Sequence, residues 1–507
     1  MARSEASLKS DPRYGLDSRW SWVTAGFLSW LLCGAMMTQQ ASGVLFFGIV
    51  DTYGVSREEA SWPLVLCASV VCLTGPVVGY LCQRFSCRPV LMFFSLASAI
   101  SVCACYFANS VLYLTVVLGI VHGAAVSGVF VGVQVLASQH FEKRRATACS
   151  LMFTLCAINM FFAAPLADLF RVTYGIKGAF LLLGGLILNA FPAAIAVRNP
   201  AWMEARDIDS SVSKKGEVLS TNNVSVEAPL LTTYSEKVEM VSEEGKKTTL
   251  ESGTVVPVLK ACVVPNCARN LRNVCSLLRS ATTVKGEDGL LRDVIANARR
   301  FATLRFVLDA FSFSIIIFGL TTFFLLYVDL AADRGVMPTH AAFLVYAFAA
   351  GDLVCRALSG VVVDSGILTL DSVMTLGYVI QAAGFELLVW LRTFPTMMVC
   401  SALIGISNGF RHSLQAPLLV KDFGIQHLPI MMGGLSFCNG LVLLSRPMLV
   451  GYYRDQQGSY DGLLHIAAAV NSALCLLWAI RIFSERGQEW SRCGHSKQRR
   501  QVEVGLS

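Results

Sequence analysis

Long apolar stretches alternate with short polar turns along most of this chain, and each apolar stretch is close to the length that crosses a bilayer. A helix rises 1.5 Å per residue, so about 20 apolar residues span a hydrocarbon core. The pattern predicts twelve helices. Six lie over residues 22–47, 60–82, 90–108, 111–139, 146–168 and 178–197. Six more lie over 304–328, 341–363, 371–391, 396–421, 428–451 and 461–483. Turn-forming residues fall between them: Asp51-Thr52-Tyr53-Gly54 follows the first, Asn109-Ser110 separates the third and fourth, and Asp364-Ser365-Gly366 follows the eighth.

Composition strengthens this reading. Of the 507 residues 54% are hydrophobic and 15% charged, where a soluble domain carries roughly 25% charge. No lysine occurs between Lys9 and Lys143, so that stretch cannot build a water-facing surface. The first apolar run is longer than a signal-peptide core, and no cleaved leader is expected. The 17 cysteines are scattered, many within apolar runs, as Cys67, Cys72, Cys103 and Cys105 are. Such residues behave as small hydrophobes; neither a disulfide framework nor a metal site is expected.

Lysine and arginine set the orientation. With both termini inside, the inner loops and tails receive Arg3, Lys9, Arg13, Arg19, Arg84, Arg88, Lys143, Arg144, Arg145, Arg492, Lys497, Arg499 and Arg500. The outer side receives only isolated cations. Residues 198–303 are rich in Ser, Thr, Glu and Lys and are expected to be a largely disordered cytoplasmic linker. Within it, residues 267–278 place Leu271, Val274, Cys275 and Leu278 on one face, as either an interfacial helix or an unstructured basic run. The expected organisation is a cytoplasmic N-terminal tail (1–21), a six-helix half (22–197), the linker (198–303), a second six-helix half (304–483) and a basic cytoplasmic tail (484–507). This is an all-α membrane protein with the 6+6 arrangement of major-facilitator transporters, whose pseudo-symmetric halves hold substrate between them.

Ionisable residues inside a span are costly and mark function by default. They concentrate in the second half: Asp309, Asp352, Arg356, Glu386, Arg411, His412 and Arg446. Asp352 and Arg356 stand four apart and share a helix face. They make either a site for an anion and a proton or a structural ion pair. Arg446 precedes Pro447, a break that marks either a site or a kink. Arg446, Arg411, Asp309 and Asn159 are the cavity-lining candidates, with Gln39 and Gln40 as further polar groups; Arg411 has Glu386 or Asp309 as its expected partner. His122 reads as a satisfied core histidine or a proton relay. Gly79, Arg84 and Arg88 in one loop, Gly360 and Asp364 in its counterpart, and Lys143 and Arg145 are the candidates for gating or loop motifs.

Several ordered motifs carry a closer resemblance. Asp17-Ser18-Arg19-Trp20-Ser21-Trp22, Gly43-Val44-Leu45-Phe46-Phe47, Ser61-Trp62, Phe141-Glu142-Lys143-Arg144-Arg145, Asp352-Leu353-Val354-Cys355-Arg356, and Gly405, Gly409-Phe410, Ser413 with Asp422-Phe423-Gly424 are similar to stretches of the monocarboxylate transporters. The chain resembles a divergent member of that family. The resemblance implies that Asp352 and Arg356 bind a carboxylate and couple a proton, and that a single-span glycoprotein can accompany the carrier to the plasma membrane. Three departures stand out: Gln83 replaces the usual acidic residue of the first loop motif, the glycines before the first helix are absent, and the first helix lacks the lysine of proton-coupled lactate carriers, with neutral residues over Gln39 to Gly43 instead.

The functional expectation is therefore a secondary active or facilitative carrier of a small carboxylate-bearing solute, with proton symport left open. Carriage of aromatic amino acids or unrelated small solutes, and a transport-dead sensor of the same fold, are the alternatives. No nucleophile–base pair, metal cluster or phosphate loop is present in the sequence, so an enzyme, a cofactor, a catalytic residue and a nucleic-acid partner are not expected; the lipid bilayer and a carboxylate are.

Overall fold

A computed structural model describes residues 5–200, 202–203 and 299–504, and among them there are helices and no strands. Most of the linker, including its 267–278 segment, falls outside the described residues. Among the described residues nine helical stretches are long and apolar enough to cross a membrane, and ten when a pair bent by 46° is taken as one span. One of the nine, Arg145–Ala196, holds 52 residues and reverses at Gly175, whose φ of 72° suits glycine. A further span, Phe394–His412 with Gln415–Phe423, is interrupted at Ser413 and Leu414. Among the described residues the total is the expected twelve.

In chain order α1 is Arg19–Gln40 and Ser42–Tyr53, α2 is Arg57–Leu73 and Gly75–Phe85, and α3 is Cys87–Ala104. Helix α4 is Val111–His140, with a wide π turn over Thr115–His122. Helix α5 starts as Arg145–Ile158 and resumes at Met160, and α6 runs from the reversal at Gly175 to Ala196. The second half comprises α7 (Leu304–Asp333), α8 (Pro338–Asp364), α9 (Leu370–Trp390), α10 (Phe394–His412 and Gln415–Phe423), α11 (Leu428–Leu444 and Arg446–Gly451) and α12 (Asp461–Val504). Side chains at the starts explain several boundaries. Ser18, Ser56, Ser110, Thr303 and Thr369 each accept a hydrogen bond from the backbone N–H three residues on. One boundary moves far: α12 was expected to end at 483 and continues to Val504. Hydropathy detects where a helix leaves apolar surroundings, and the following residues contain no proline to end it.

The largest apolar core runs unbroken through both halves, from Leu28, Val126 and Met152 to Phe313, Met431 and Trp478. The end of the bundle where α1 begins is termed basal, the other distal. At the basal end the halves meet along two seams. On one, α2 lies backbone to backbone against α11: a Cβ added at Gly75 would stand 2.6 Å from the Gly433 carbonyl oxygen, and Gly79 abuts Pro429 in the same way. On the other, Gly360 of α8 abuts Ala146 and Ser150 of α5. Small residues permit such approaches, which supply dispersion where lipid gives no hydrophobic drive between helices.

The second seam also has a polar clamp. Asp364, at the end of α8, accepts hydrogen bonds from the backbone N–H of Thr147 (2.7 Å) and Ala146 (3.3 Å), capping the first turn of α5 in the opposite half. Gln83 stands in the corresponding loop and is exposed. Asp364→Ala is therefore expected to cost about 1 kcal/mol, with Asp364→Asn costing less, as measured by thermal unfolding in detergent. Neighbouring loops are pinned similarly: Asp17 accepts from the N–H groups of Glu142, Lys143 and Arg144 at 2.9–3.2 Å.

Candidate functional site

Asp352 and Arg356 occupy successive turns of α8, both almost fully enclosed at 6% and 7% exposure. The guanidinium forks onto the carboxylate: Arg356 Nη2 lies 2.7 Å from Asp352 Oδ2 and 2.8 Å from Oδ1, and Nε lies 3.1 Å from Oδ2. A planar fork on a carboxylate is the strongest ion-pair geometry available to side chains. Asn408 of α10 completes the group by donating from Nδ2 to Asp352 Oδ1 at 2.6 Å. Glycines bring α10 this close. A Cβ at Gly409 would strike the Asp352 carbonyl, and one at Gly351 would stand 2.7 Å from the Ala402 carbonyl oxygen. Asn408 was not singled out from the sequence. Its signal was an amide in an apolar helix beside Gly405 and Gly409.

The other charged candidates separate into distinct surroundings. Arg411 is wholly enclosed between α9 and α10. Its guanidinium lies 4.2 Å from the centre of the Tyr378 ring and donates to the Ser407 hydroxyl at 2.6 Å and to Gln381. Neither expected carboxylate is its partner. Glu386 sits near the end of α9 and bonds His465 (3.0 Å) and Trp390 (2.9 Å). Asp309 is enclosed at the basal end of α7, 3.3 Å from Arg481 of α12, and is not a cavity-lining group. Arg481 gathers more carboxylates there, with Asp422 at 2.6 Å and Asp371 at 3.4 Å, while Lys421 pairs with Asp371. Arg481 escaped notice because it stands two residues inside the expected end of α12, where a cation is ordinary.

Asn159 ends the first segment of α5 and donates to the Cys33 carbonyl (3.1 Å) and to Gln40 (2.8 Å), while Gln40 donates to the Cys156 carbonyl (3.1 Å). These amides tie α1 to α5 where both helices are interrupted and need partners. His122 is fully enclosed with both ring nitrogens engaged: Nε2 lies 2.7 Å from Thr38 Oγ1, and Nδ1 lies 3.2–3.3 Å from the Ser98 and Ser101 oxygens. Of the loop candidates, Arg88 donates to the Ile195 carbonyl at 2.9 Å and Arg145 to the Ser138 carbonyl at 3.1 Å. Arg84 and Lys143 are exposed.

A cavity of about 530 Å³ lies between the halves in their distal parts. Thr38, Gln39, Ser42 and Phe46 of α1, Ser61 of α2, Leu325 of α7 and Arg446 of α11 line it. With the basal seams closed, the arrangement is a two-walled bundle joined at one end and hollow toward the other.

Residues 28–241 match the family model of the Major Facilitator Superfamily. Monocarboxylate transporter 14 of Homo sapiens is 24% identical over 482 residues, covering 90% of this chain and 89% of the relative. Monocarboxylate transporter 9 of Gallus gallus is 24% identical over 475 residues, covering 88% and 89%. Among solved structures the proton:xylose symporter XylE, a major facilitator superfamily protein bound to 6-bromo-6-deoxy-D-glucose, superposes with a TM-score of 0.60 at 13% identity, over 90% of this chain and 94% of that one. This multi-pass membrane protein thus has the major-facilitator fold and is a divergent relative of the monocarboxylate transporters.

Proposed function

We propose that this major-facilitator transporter carries a small solute with a carboxylate group by alternating access between its halves, and that Arg356 and Asp352 form the exchange site. The observation that carries the reading is the closed group of Arg356, Asp352 and Asn408. An internal carboxylate already occupies the fork of a buried guanidinium, as a substrate carboxylate would. Protonation of Asp352 would free Arg356 for the substrate, and loss of that proton would displace it. Asn408 holds Asp352 in place during the exchange. Opening the basal end requires parting the α2–α11 and α5–α8 seams, so Gly79, Gly360 and Asp364 are gating positions in this reading. The lysine and arginine bias makes the basal end cytoplasmic, with the plasma membrane as the expected location.

The neutral first helix favours a second substrate class, aromatic amino acids, whose own ammonium group removes the need for a cation there. Uptake of labelled lactate, pyruvate, phenylalanine and tryptophan into proteoliposomes, with and without a pH gradient, tests both. At least one carboxylate is expected to accumulate, with uptake lowered at least tenfold in Arg356→Lys because an ammonium cannot reproduce the fork. Folded protein that moves none of a wide carboxylate panel would overturn the reading and favour a sensor.

A further inference from the structure

Arg446 is the charged side chain among the residues lining the distal cavity. Among the described residues it has no carboxylate within ion-pair distance, and its enclosed Nε has no hydrogen-bond partner. Other enclosed guanidiniums have partners, Arg356 in Asp352, Arg481 in Asp309 and Asp422, and Arg411 in Gln381, Ser407 and the Tyr378 ring, although Arg411 Nη1 also lacks an acceptor. An enclosed donor without an acceptor is costly unless something fills the place. Helix α11 is locally irregular at Ser445, just before Arg446 and Pro447, so the guanidinium sits beside an irregular turn of the wall.

Neutral hydroxyls and an amide from Thr38, Gln39, Ser42 and Ser61 accompany Arg446, with Phe46 and Leu325 as apolar surface. Asp352 and Arg356 are not among the lining residues. We propose that this cavity is the distal receiving site and that Arg446 takes the substrate's carboxylate before Arg356 does. The inference rests on the carrier function proposed above and adds to it an order of binding and a selectivity. One unpaired cation compensates one negative charge. The site therefore takes monocarboxylates with a compact apolar or aromatic body, and a dicarboxylate would leave its second charge unpaired in an enclosed space.

The test uses full-length protein in proteoliposomes and nanodiscs, with benzoate, phenylacetate, lactate and phenylalanine as probes, and benzamide and phthalate as the neutral and dianionic controls. Arg446→Gln is expected to raise the half-saturating concentration for distal-side uptake at least tenfold, with a much smaller change in maximal rate. Arg356→Lys is expected to lower the maximal rate. Arg446→Lys, which keeps the charge, should restore part of the affinity, and a thermal melt checks that each variant is folded. In wild type benzoate, phenylacetate and lactate should bind at least tenfold more tightly than benzamide and phthalate. Transport by Arg446→Gln with wild-type half-saturation would overturn the Arg446 assignment and leave the carrier function standing. Failure of wild type to bind or move any monocarboxylate would overturn both.

Discussion

Arg356→Ala is expected to abolish uptake and to lower stability by about 3–5 kcal/mol, since deleting one member of a buried ion pair leaves the other charge enclosed without compensation. Asp352 would retain only the Asn408 amide, which donates at 2.6 Å but carries no charge. The double variant Asp352→Leu/Arg356→Met separates the two losses. Replacing both partners with apolar side chains of similar volume is often neutral or stabilising, so thermal unfolding should return to near the wild-type midpoint while uptake stays absent. Recovery of uptake in the double variant would make the pair purely structural. Stability is followed by thermal unfolding of purified protein and uptake by radiolabel in the same preparation.

Gly433→Leu is expected to displace the population toward a basal-open bundle. The Cβ of any larger residue at 433 would meet the backbone of Gly75 and Pro76 across the seam, and backbone cannot rotate out of the way as a side chain can. Overpacking typically costs about 1–3 kcal/mol. Here only the closed arrangement bears that cost, so a penalty of this size becomes a population shift of roughly 5- to 150-fold. Spin labels at Gln83 and Gln426, both exposed near the basal ends of α2 and α11, should show their distance distribution move outward by several ångströms. An unchanged distribution would mean that the glycine seam does not hold the basal end closed.

Hydropathy alone made the twelve-helix fold legible, because backbone polar groups inside a bilayer must be satisfied within each span, leaving helix length and apolarity as the governing terms. Interior interruptions were harder to see. Pro447 gave away the one at Ser445, whereas those at Ala41, Thr74 and Asn159 lie within continuous apolar stretches, and hydropathy carries no information on backbone direction. The pairing of Asp352 with Arg356 was legible because it is local, four residues apart on one helix. Partners drawn from other helices were not: Asn408 joins Asp352, Arg481 joins Asp309, and Arg411 turns to Gln381 and Tyr378 instead of a carboxylate. Helix rotation decides such pairings, and the sequence shows which residues share a face without showing what that face meets. The loop motifs had a similar limit. Asp364 was visible as a charged turn residue, but its role on the backbone of α5 depends on a neighbour more than 200 positions earlier in the chain.

The clamp formed by Asp364 makes the two basal seams unlike in kind. Along α2 and α11 the contact is between uncharged backbones and depends on shape alone. Between α8 and α5 a carboxylate faces the positive end of a helix dipole, an interaction that dissolved salt screens. Raising ionic strength therefore weakens one side of the closure and spares the other, so basal opening should begin along α5 and α8, with the glycine contact acting as the fulcrum.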